Sequence, residues 1–263
     1  MLKRFLLWGV AVCISFSVFG LNMAFASEKS KEKVPISIFL AGDSTVCNYK
    51  SERAPRAGWG QVIDRYFSKE VTIKNYATSG RSTKSFIDEG RLDTILSEIK
   101  AKDYLLIQFG HNDEKKDVLS LYTEPSTTYK EYLKQYINGA RKHGAIPILI
   151  TPVERRNFDT NGKIIASHGK YPDAMKEVGA AENVLVIDLS TASRNYIASL
   201  GPEKSKIIFM QLQAGDSYNY PQGSNDNTHF QEKGAIEIAK LIIEEMLKTD
   251  CDLKRYINKP MLK

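Results

Sequence analysis

Cysteine, histidine and tryptophan are scarce in this chain, whose 263 residues include three, four and two of them, respectively. The disulfide framework on which small secreted domains depend is therefore excluded, and a chain of this length can bury a sizeable core without one. The sequence also lacks a cysteine or histidine pair at zinc-site spacing, and the His-Glu-x-x-His pattern is absent. We therefore expect no metal and no other cofactor.

A strong charge of one sign is absent as well. The chain has 37 lysines and arginines against 31 aspartates and glutamates, and the resulting net charge of +6 is spread along its length. This charge is too weak and too dispersed for a nucleic-acid-binding surface, so we expect no nucleic-acid partner. A mildly basic chain of this kind suits a protein that meets an acidic polymer.

Long hydrophobic runs are limited to the amino terminus. There Lys3 and Arg4 precede an apolar stretch at residues 5–19, and the small-residue sequence Ala24-Phe25-Ala26 follows it. The pattern is typical of a secretory signal peptide. A membrane anchor is the alternative, but the run is short for a span and no basic stop-transfer cluster follows it. We predict a signal peptide at residues 1–26, a single domain at residues 27–263, a secreted or periplasmic location and no stable membrane association.

Apolar segments and segments with helical spacing alternate along the rest of the chain. Five short apolar segments predict strands, at residues 36–40, 71–77, 103–109, 145–151 and 184–189. Helical spacing occurs at residues 59–67, 86–99, 127–142, 171–181, 192–200 and 234–248. The stretch from residue 201 to Asn227 is predicted to be irregular. Strands that alternate with helices indicate an α/β fold whose parallel sheet is covered on both faces.

Small or polar residues follow four of the predicted strands. These clusters are Gly42-Asp43-Ser44, Ser79-Gly80, Gly110-His111-Asn112-Asp113 and Thr151-Pro152. In open parallel sheets, ligands bind at the edge where the carboxyl ends of the strands meet. A single serine in a turn more often bonds to nearby backbone than performs catalysis. The recurrence of such clusters makes Ser44 a candidate nucleophile.

A serine nucleophile needs a base, a group that orients the base, and donors for the oxyanion. Of the four histidines, His143 is expected to cap a helix and His168 to be solvated in a polar loop, whereas His111 fits either substrate contact or packing. His229 differs, because Asp226 stands three residues ahead and can reach one imidazole nitrogen while the other stays free. The alternative is that Asp226 only starts the last helix.

The order Ser, Gly, Asn and Asp-x-x-His resembles the SGNH (GDSL) hydrolase family. Four blocks carry the resemblance: Gly42-Asp43-Ser44, Gly80, Gly110-x-Asn112-Asp113 and Asp226-x-x-His229. The rhamnogalacturonan acetylesterase branch is resembled more narrowly at Gly110-His111-Asn112-Asp113, Tyr171-Pro172-x-Ala174-Met175, Tyr220-Pro221, Gly223 and Asn227-Thr228-His229-Phe230. The resemblance spans residues 36–247. It implies a flavodoxin-like three-layer α/β/α sandwich with a five-stranded parallel sheet. The Gly-x-Ser-x-Gly motif of α/β-hydrolases is not met, because position 46 is Val46.

The resemblance also implies roles for individual residues. Ser44 would be the nucleophile, His229 the general base and Asp226 the residue that orients and stabilises the imidazolium. The backbone N–H groups of Ser44 and Gly80 and the side-chain amide of Asn112 would form the oxyanion hole. Asp43 lies too close to Ser44 along the chain to orient the base, so we expect it to hold the turn.

The function implied by this branch is that of a secreted, monomeric carbohydrate esterase that removes O-acetyl groups from pectin. Basic residues follow three strands, and we predict substrate contacts from Arg53, Arg81, His111 and Arg155; the full basic set is Lys50, Arg53, Arg56, Arg81, Lys84, Arg155 and Arg156. An SGNH esterase acting on another acetylated polymer such as xylan, or on a lipid ester, is one alternative. A catalytically silent carbohydrate-binding protein is another, although all three candidate catalytic residues are present.

Overall fold

The computed structural model describes residues 33–262 and contains eight strands and six α-helices in that range. The strands are β1 (Ile36–Gly42), β2 (Arg56–Ala57), β3 (Val71–Asn75), β4 (Tyr104–Gln108), β5 (Ile146–Ile150), β6 (Leu185–Ile187), β7 (Phe209–Leu212) and β8 (Ser224–Gln231). The helices are α1 (Thr83–Asp88), α2 (Arg91–Glu98), α3 (Thr128–Lys142), α4 (Tyr171–Glu182), α5 (Leu189–Lys204) and α6 (Glu232–Leu247). The predicted signal peptide, residues 1–26, lies outside the described residues.

Five parallel strands form the central sheet in the order β3-β1-β4-β5-β6. Successive side chains of a strand point to opposite faces, and β1 is apolar on both. Ile38 and Leu40 pack into a core with Ile197 of α5 and Ile242 of α6. A sheet that buries both faces needs near-continuous apolar strands, which is the pattern in the sequence.

The opposite face of the sheet packs against the other four helices. Phe39 and Ala41 of β1 belong to a second core with side chains from α1–α4, among them Phe86, Leu133 and Met175. The result is an α/β/α sandwich with a five-stranded parallel sheet, which confirms the predicted fold class.

The strand order places a topological switch point between β1 and β4. The chain leaves β1 for β3 on one side and later returns to add β4 on the other side. Connections therefore diverge at the carboxyl ends of these two neighbouring strands, which opens a crevice there. Ser44 follows β1 and Asn112 follows β4, so both lie at this edge.

A second, antiparallel sheet of order β2-β8-β7 corrects the prediction of irregular structure up to Asn227. Its strands are mostly polar and lack apolar alternation, so no periodicity marked them. Tertiary pairing organises them instead, with the buried rings of Phe209 and Phe230 packed at 5.6 Å. The adjoining helix α6 begins at Glu232, two residues earlier than predicted.

Two predicted helices differ from the structure in form. Residues 59–67 form two short 3₁₀ helices, Trp59–Gln61 and Ile63–Tyr66, and the Trp59 N–H at the start of the first donates to the Thr45 carbonyl. Residues 86–99 lie in the two helices α1 and α2, which meet at Gly90 with φ +70°.

Candidate active site

The turn after β1 is fixed by hydrogen bonds to a buried carboxylate. Asp43 Oδ1 accepts from the Thr45 N–H and from Thr45 Oγ1, both at 2.8 Å. Asp43 therefore holds the turn, as expected, and Ser44 is presented between two anchored residues. Gly42 is required here because a Cβ at this position would lie 2.5 Å from Cγ2 of Val46.

Ser44, His229 and Asp226 form one continuous chain of hydrogen bonds. His229 Nε2 lies 2.9 Å from Ser44 Oγ, and His229 Nδ1 lies 2.7 Å from Asp226 Oδ2. Since Nδ1 faces a carboxylate it carries the proton, so the lone pair of Nε2 faces the serine hydroxyl. Ser44 and His229 are 185 positions apart along the chain, and the fold brings them into contact. The imidazole is thus oriented to accept the Ser44 proton.

Asp226 is held by backbone as well as by His229. Its Oδ1 accepts from the N–H groups of Thr228 at 2.9 Å and of His229 at 3.0 Å. Burial raises the pKa of this carboxyl, but the hydrogen bonds from the His229 side chain and from these backbone groups outweigh it and hold the pKa well below its ordinary value. Asp226 is therefore ionised at neutral pH and can stabilise a positively charged imidazole.

Arg56 adds a fourth donor to the same carboxylate. Its Nη2 lies 3.0 Å from Asp226 Oδ2, the oxygen that also accepts from His229. The Arg56 guanidinium lies 5.8 Å from the ring centroid of Tyr49, and Tyr49 Oη donates to the Ser44 carbonyl at 2.8 Å. A closed circuit of contacts therefore links the nucleophile's backbone to the carboxylate that orients the base.

The predicted oxyanion donors lie in the segments that follow β1, β3 and β4, three neighbouring strands whose carboxyl ends share one edge of the sheet. Asn112 Nδ2 donates one hydrogen to the Arg81 carbonyl at 2.9 Å, which leaves its second N–H for an oxyanion. Gly80 has φ +83°, and a Cβ there would meet nothing within 4 Å. A side chain at position 80 would be strained and would project into open space beside Ser44. Ser44 itself is 6% exposed.

A buried carboxyl joins these two segments. Asp113 Oδ1 accepts from the Thr83 N–H at 3.0 Å and from the hydroxyls of Thr83 and Thr123. Its Oδ2 is buried without a hydrogen-bond partner. Burial raises the pKa of Asp113 to about 7. Asp113 therefore ties the start of α1, just after Gly80 and Arg81, to the Asn112 segment.

The four predicted substrate contacts lie in different environments. Arg53 is exposed and lines a groove beside the site. Arg81 pairs with Glu89, and Arg155 pairs with Glu114. His111 is 4% exposed and its Nδ1 faces Asp43 Oδ2 at 3.2 Å; burial lowers its pKa to about 4. Packing, the alternative considered for His111, fits this environment.

His168 contradicts the expectation of a solvated loop residue, because it is 1% exposed. Its Nε2 lies 2.8 Å from the Val153 carbonyl and its Nδ1 lies 3.1 Å from Glu114 Oε2. Its ring centroid is 4.4 Å from that of His111. The loop that carries His168 folds back over the sheet edge, and polar sequence alone did not reveal that burial. His143 occupies the carboxyl-terminal cap of α3, as predicted.

The two cysteines in the described part of the chain, Cys47 and Cys251, are free. Within residues 33–262 no group of three or more His, Cys, Asp or Glu side chains is arranged to hold a metal ion. No helix in the same range is long and apolar enough to cross a bilayer.

Comparison with known sequences identifies the family of this fold and site. The sequence profile of the GDSL-like lipase/acylhydrolase family matches residues 38–242, a range that includes Ser44, Gly80, Asn112, Asp226 and His229. This chain belongs to that family. As a GDSL hydrolase it is a carboxylic ester hydrolase.

Two curated Bacillus subtilis relatives place the chain among the rhamnogalacturonan acetylesterase-like members of the GDSL family. It is 46% identical over 225 residues to the rhamnogalacturonan acetylesterase RhgT, covering 86% of this chain and 95% of that protein. It is 43% identical over 222 residues to the probable rhamnogalacturonan acetylesterase YesY, covering 84% of this chain and 97% of that protein. The resemblance seen in the sequence motifs is thereby confirmed.

Solved structures support the same fold. The crystal structure of YxiM from Bacillus subtilis superimposes with a TM-score of 0.70 at 29% identity, covering 82% of this chain but only 57% of that one. A catalytic mutant of Axe2, an acetylxylan esterase from Geobacillus stearothermophilus, gives a TM-score of 0.58 at 13% identity over 82% of this chain and 96% of that one. The second likeness speaks for the GDSL hydrolase fold alone.

Sequence reasoning missed the part that Arg56 plays at this site. Arg56 reaches Asp226 because β2 pairs with β8, with Arg56 opposite Gln231 and Ala57 opposite Phe230. A two-residue strand in a polar loop has no periodicity that a sequence pattern could detect. The sequence shows several basic residues near Ser44, but only the fold distinguishes this largely buried arginine from its exposed neighbours.

Proposed function

We propose that the chain is an exported acetylesterase that removes O-acetyl groups from acetylated pectic polysaccharide of the rhamnogalacturonan type. The observation that carries the proposal is the hydrogen-bond chain from Ser44 Oγ through His229 to Asp226, at 2.9 and 2.7 Å. The relatives RhgT, a rhamnogalacturonan acetylesterase, and YesY, a probable one, support this choice of substrate.

The first half of the reaction acylates the serine. Ser44 Oγ attacks the acetyl carbonyl carbon while its proton passes to His229 Nε2. The carbonyl oxygen becomes an oxyanion that accepts hydrogen bonds from the N–H groups of Ser44 and Gly80 and from Asn112 Nδ2. The tetrahedral intermediate then collapses: the bond to the sugar oxygen breaks, and that oxygen takes the proton from His229. Acetyl-Ser44 and the free sugar hydroxyl result.

The second half regenerates the enzyme by the same groups. His229 takes a proton from a water molecule, whose oxygen attacks the carbonyl carbon of acetyl-Ser44. The second tetrahedral intermediate breaks its bond to Ser44 Oγ, and the serine oxygen recovers the proton from His229. Acetate leaves. In both halves of the reaction Asp226 stabilises the His229 imidazolium and holds a proton on Nδ1 of His229.

The walls of the site favour a polar substrate. A groove of about 650 Å³ beside Ser44 is lined by Cys47, Asn48, Tyr49, Lys50, Glu52, Arg53, Arg56, Ala77, Thr78 and Ser79. Among these described lining residues none is Leu, Ile, Val, Phe or Met. Such a groove offers no apolar channel for a long acyl chain, which argues against a lipid ester and for a short acyl group on a carbohydrate.

The test is acetate release by the wild-type protein from acetylated rhamnogalacturonan, acetylated xylan and a long-chain ester. We expect the pectic polymer to be preferred and Ser44→Ala to lose at least about a thousandfold in kcat with unchanged circular dichroism. Preference for xylan or for the long-chain ester would contradict the proposed substrate, and an active Ser44→Ala variant would contradict the mechanism.

Export and monomeric state are tested separately. Expression of the full chain in a host with a secretory pathway should release a protein whose amino terminus is Ser27, as the small-residue sequence before it indicates. Light scattering should give the mass of a single chain. Retention of residues 1–26 in a membrane fraction, or a dimer mass, would overturn the respective proposal.

A further inference from the structure

Most basic side chains near the site are already engaged by the protein itself. Arg56 contacts Asp226, Arg81 contacts Glu89, Lys84 contacts the Leu119 carbonyl, Arg155 contacts Glu114, and Arg156 contacts Asn227 and Ser205. These five groups satisfy internal acceptors, so they offer little to a ligand without breaking an existing contact. Of the basic residues that follow the three strands, fewer are therefore available to a ligand in the folded protein than the sequence predicts.

Lys50 and Arg53 are the exceptions among the seven basic residues that were predicted near the site: Lys50, Arg53, Arg56, Arg81, Lys84, Arg155 and Arg156. Both are exposed, and neither side chain has a hydrogen bond or ion pair to any described part of the chain. Both line the same 650 Å³ groove. The one acidic residue of that lining is Glu52, which is also exposed. Since Arg56 is neutralised by Asp226, the groove presents two unpaired cations against one carboxylate.

The groove borders the turn that carries the catalytic serine. Its lining contains Tyr49, whose hydroxyl binds the Ser44 carbonyl, and Cys47, whose Sγ lies 3.9 Å from the same carbonyl. It also contains Thr78 and Ser79, which immediately precede Gly80. A polysaccharide with one acetyl group at Ser44 can therefore lay a neighbouring sugar in this groove.

The backbone that carries the two cations is held in place. The Arg53 N–H donates to the Lys50 carbonyl at 2.9 Å, and the Arg53 carbonyl accepts from Tyr220 Oη at 3.3 Å. Asn219 Nδ2 donates to the carbonyls of Ser51 and Ala54, both at 2.9 Å. Because the loop is clamped by the β7–β8 connection, little backbone ordering is left for ligand binding to drive.

We propose that Lys50 and Arg53 form a carboxylate-binding subsite that holds the carboxylate of an unesterified uronate residue near the acetyl ester in the bound polysaccharide. A guanidinium donates two parallel hydrogen bonds to a carboxylate, and an ammonium adds a point charge. The inference rests on the proposed function, since it names the anionic sugar that the same site recognises beside its acetyl ester. It assigns charge recognition to this groove rather than to Arg81 or Arg155.

The experiment measures binding without requiring deacetylation of the ligand. Hydrolysis of a small neutral chromogenic acetyl ester is inhibited with an unacetylated oligogalacturonate, and in parallel with the same oligomer carrying methyl-esterified carboxyls. The variants are Arg53→Gln, Lys50→Gln and the conservative Arg53→Lys. The matched control is Lys69→Gln, an exposed lysine that precedes β3 at the opposite edge of the sheet.

We expect the oligogalacturonate to inhibit the wild type competitively, more strongly at low than at high salt. Arg53→Gln should raise the inhibition constant about tenfold, as loss of a charge-assisted hydrogen bond implies, and Lys50→Gln somewhat less. The inhibition constant of Arg53→Lys should lie between those of the wild type and Arg53→Gln, and that of Lys69→Gln should match the wild type. The methyl-esterified oligomer should inhibit weakly and equally in all of them, and Lys69→Gln should hydrolyse the small ester as fast as the wild type.

Equal inhibition of the wild type and Arg53→Gln overturns the subsite, and so does equal inhibition by the two oligomers. The same holds if the wild type is not inhibited at low salt. None of these results touches the proposed function, which fails separately if acetylated rhamnogalacturonan releases no acetate. Selective inhibition that depends on Arg53 supports the subsite even then, because the oligogalacturonate carries no acetyl group.

Discussion

Arg56 and His229 donate to the same oxygen of Asp226, at 3.0 and 2.7 Å. The carboxylate that stabilises the catalytic imidazolium therefore shares its negative charge with a permanent cation. The Arg56 guanidinium is about four-fifths buried, with 18% of its side chain exposed, so solvent screens it only in part. Arg56 thus helps to position Asp226 and shares the negative charge of this carboxylate with the His229 side chain.

Removal of the Arg56 charge should lower kcat. Arg56 Nη2 donates to Asp226 Oδ2, the oxygen that orients His229, and a hydrogen bond to a charged group is worth about 1.5–3 kcal/mol. Arg56→Met should therefore lower kcat by about tenfold to a hundredfold, whereas Arg56→Lys should stay nearer the wild type. Turnover of a small acetyl ester, with circular dichroism as a check of the fold, provides the measurement. Equal kcat in all three proteins would show that Arg56 does not position Asp226.

Asp226→Asn should be less harmful than His229→Ala. The amide keeps the shape of the orienting group but loses its charge, whereas no side chain replaces the base. We expect kcat to fall by about 10⁴ for Asp226→Asn and by about 10⁶ for His229→Ala. Single-turnover rates on a small acetyl ester provide the measurement, with Asp64→Asn as a surface control. Equal losses would mean that Asp226 does more than orient His229.

Asn112→Ala should lower kcat rather than raise KM. An oxyanion donor gains strength as negative charge develops on the substrate oxygen, so its loss costs about 2.7–4 kcal/mol in the barrier, or about 10²–10³ in rate. The substitution also frees the Arg81 carbonyl, so urea unfolding must show that the variant stays folded. A change confined to KM would remove Asn112 from the oxyanion hole.

Asp113→Asn should alter how stability depends on pH. The unfolded carboxyl loses its proton near pH 4, whereas burial keeps Asp113 protonated in the folded protein up to about pH 7. Between these pH values the folded state binds more protons than the unfolded state. The contribution of the Asp113 carboxyl to the free energy of unfolding is therefore fully present below pH 4 and falls as the pH rises towards 7, by up to about 4 kcal/mol. Asparagine cannot titrate, so the Asp113→Asn variant does not lose this part of the free energy of unfolding as the pH rises.

Urea unfolding at pH 4.5 and 7.5 measures the effect as a difference between variant and wild type, in which the other titrating groups cancel. The free energy of unfolding of Asp113→Asn relative to the wild type should rise by several kcal/mol from the lower to the higher pH. A pH-independent difference would mean that Asp113 is ionised in the folded protein at pH 4.5.

The central sheet could be predicted from the sequence because its strands are buried on both faces. Runs such as Ile38–Leu40 and Leu105–Ile107 are apolar without interruption, and helical spacing separates them. Ser44, Gly80 and Asn112 could be predicted for a related reason. Each lies two to five residues beyond the end of a strand, and parallel strands bring their carboxyl ends to one edge of the sheet.

The sequence by itself determined the α/β class, the five parallel strands and the residue types of the candidate site, because burial and strand direction are written in local apolar patterns. Only the tertiary structure decided the second sheet, the contact of Arg56 with Asp226, and which cations stay unpaired. Those features depend on pairings between polar segments such as β2 and β8, which lie more than 160 residues apart. A polar segment carries no periodic signal of its partner, so the partner becomes known only when the chain is folded.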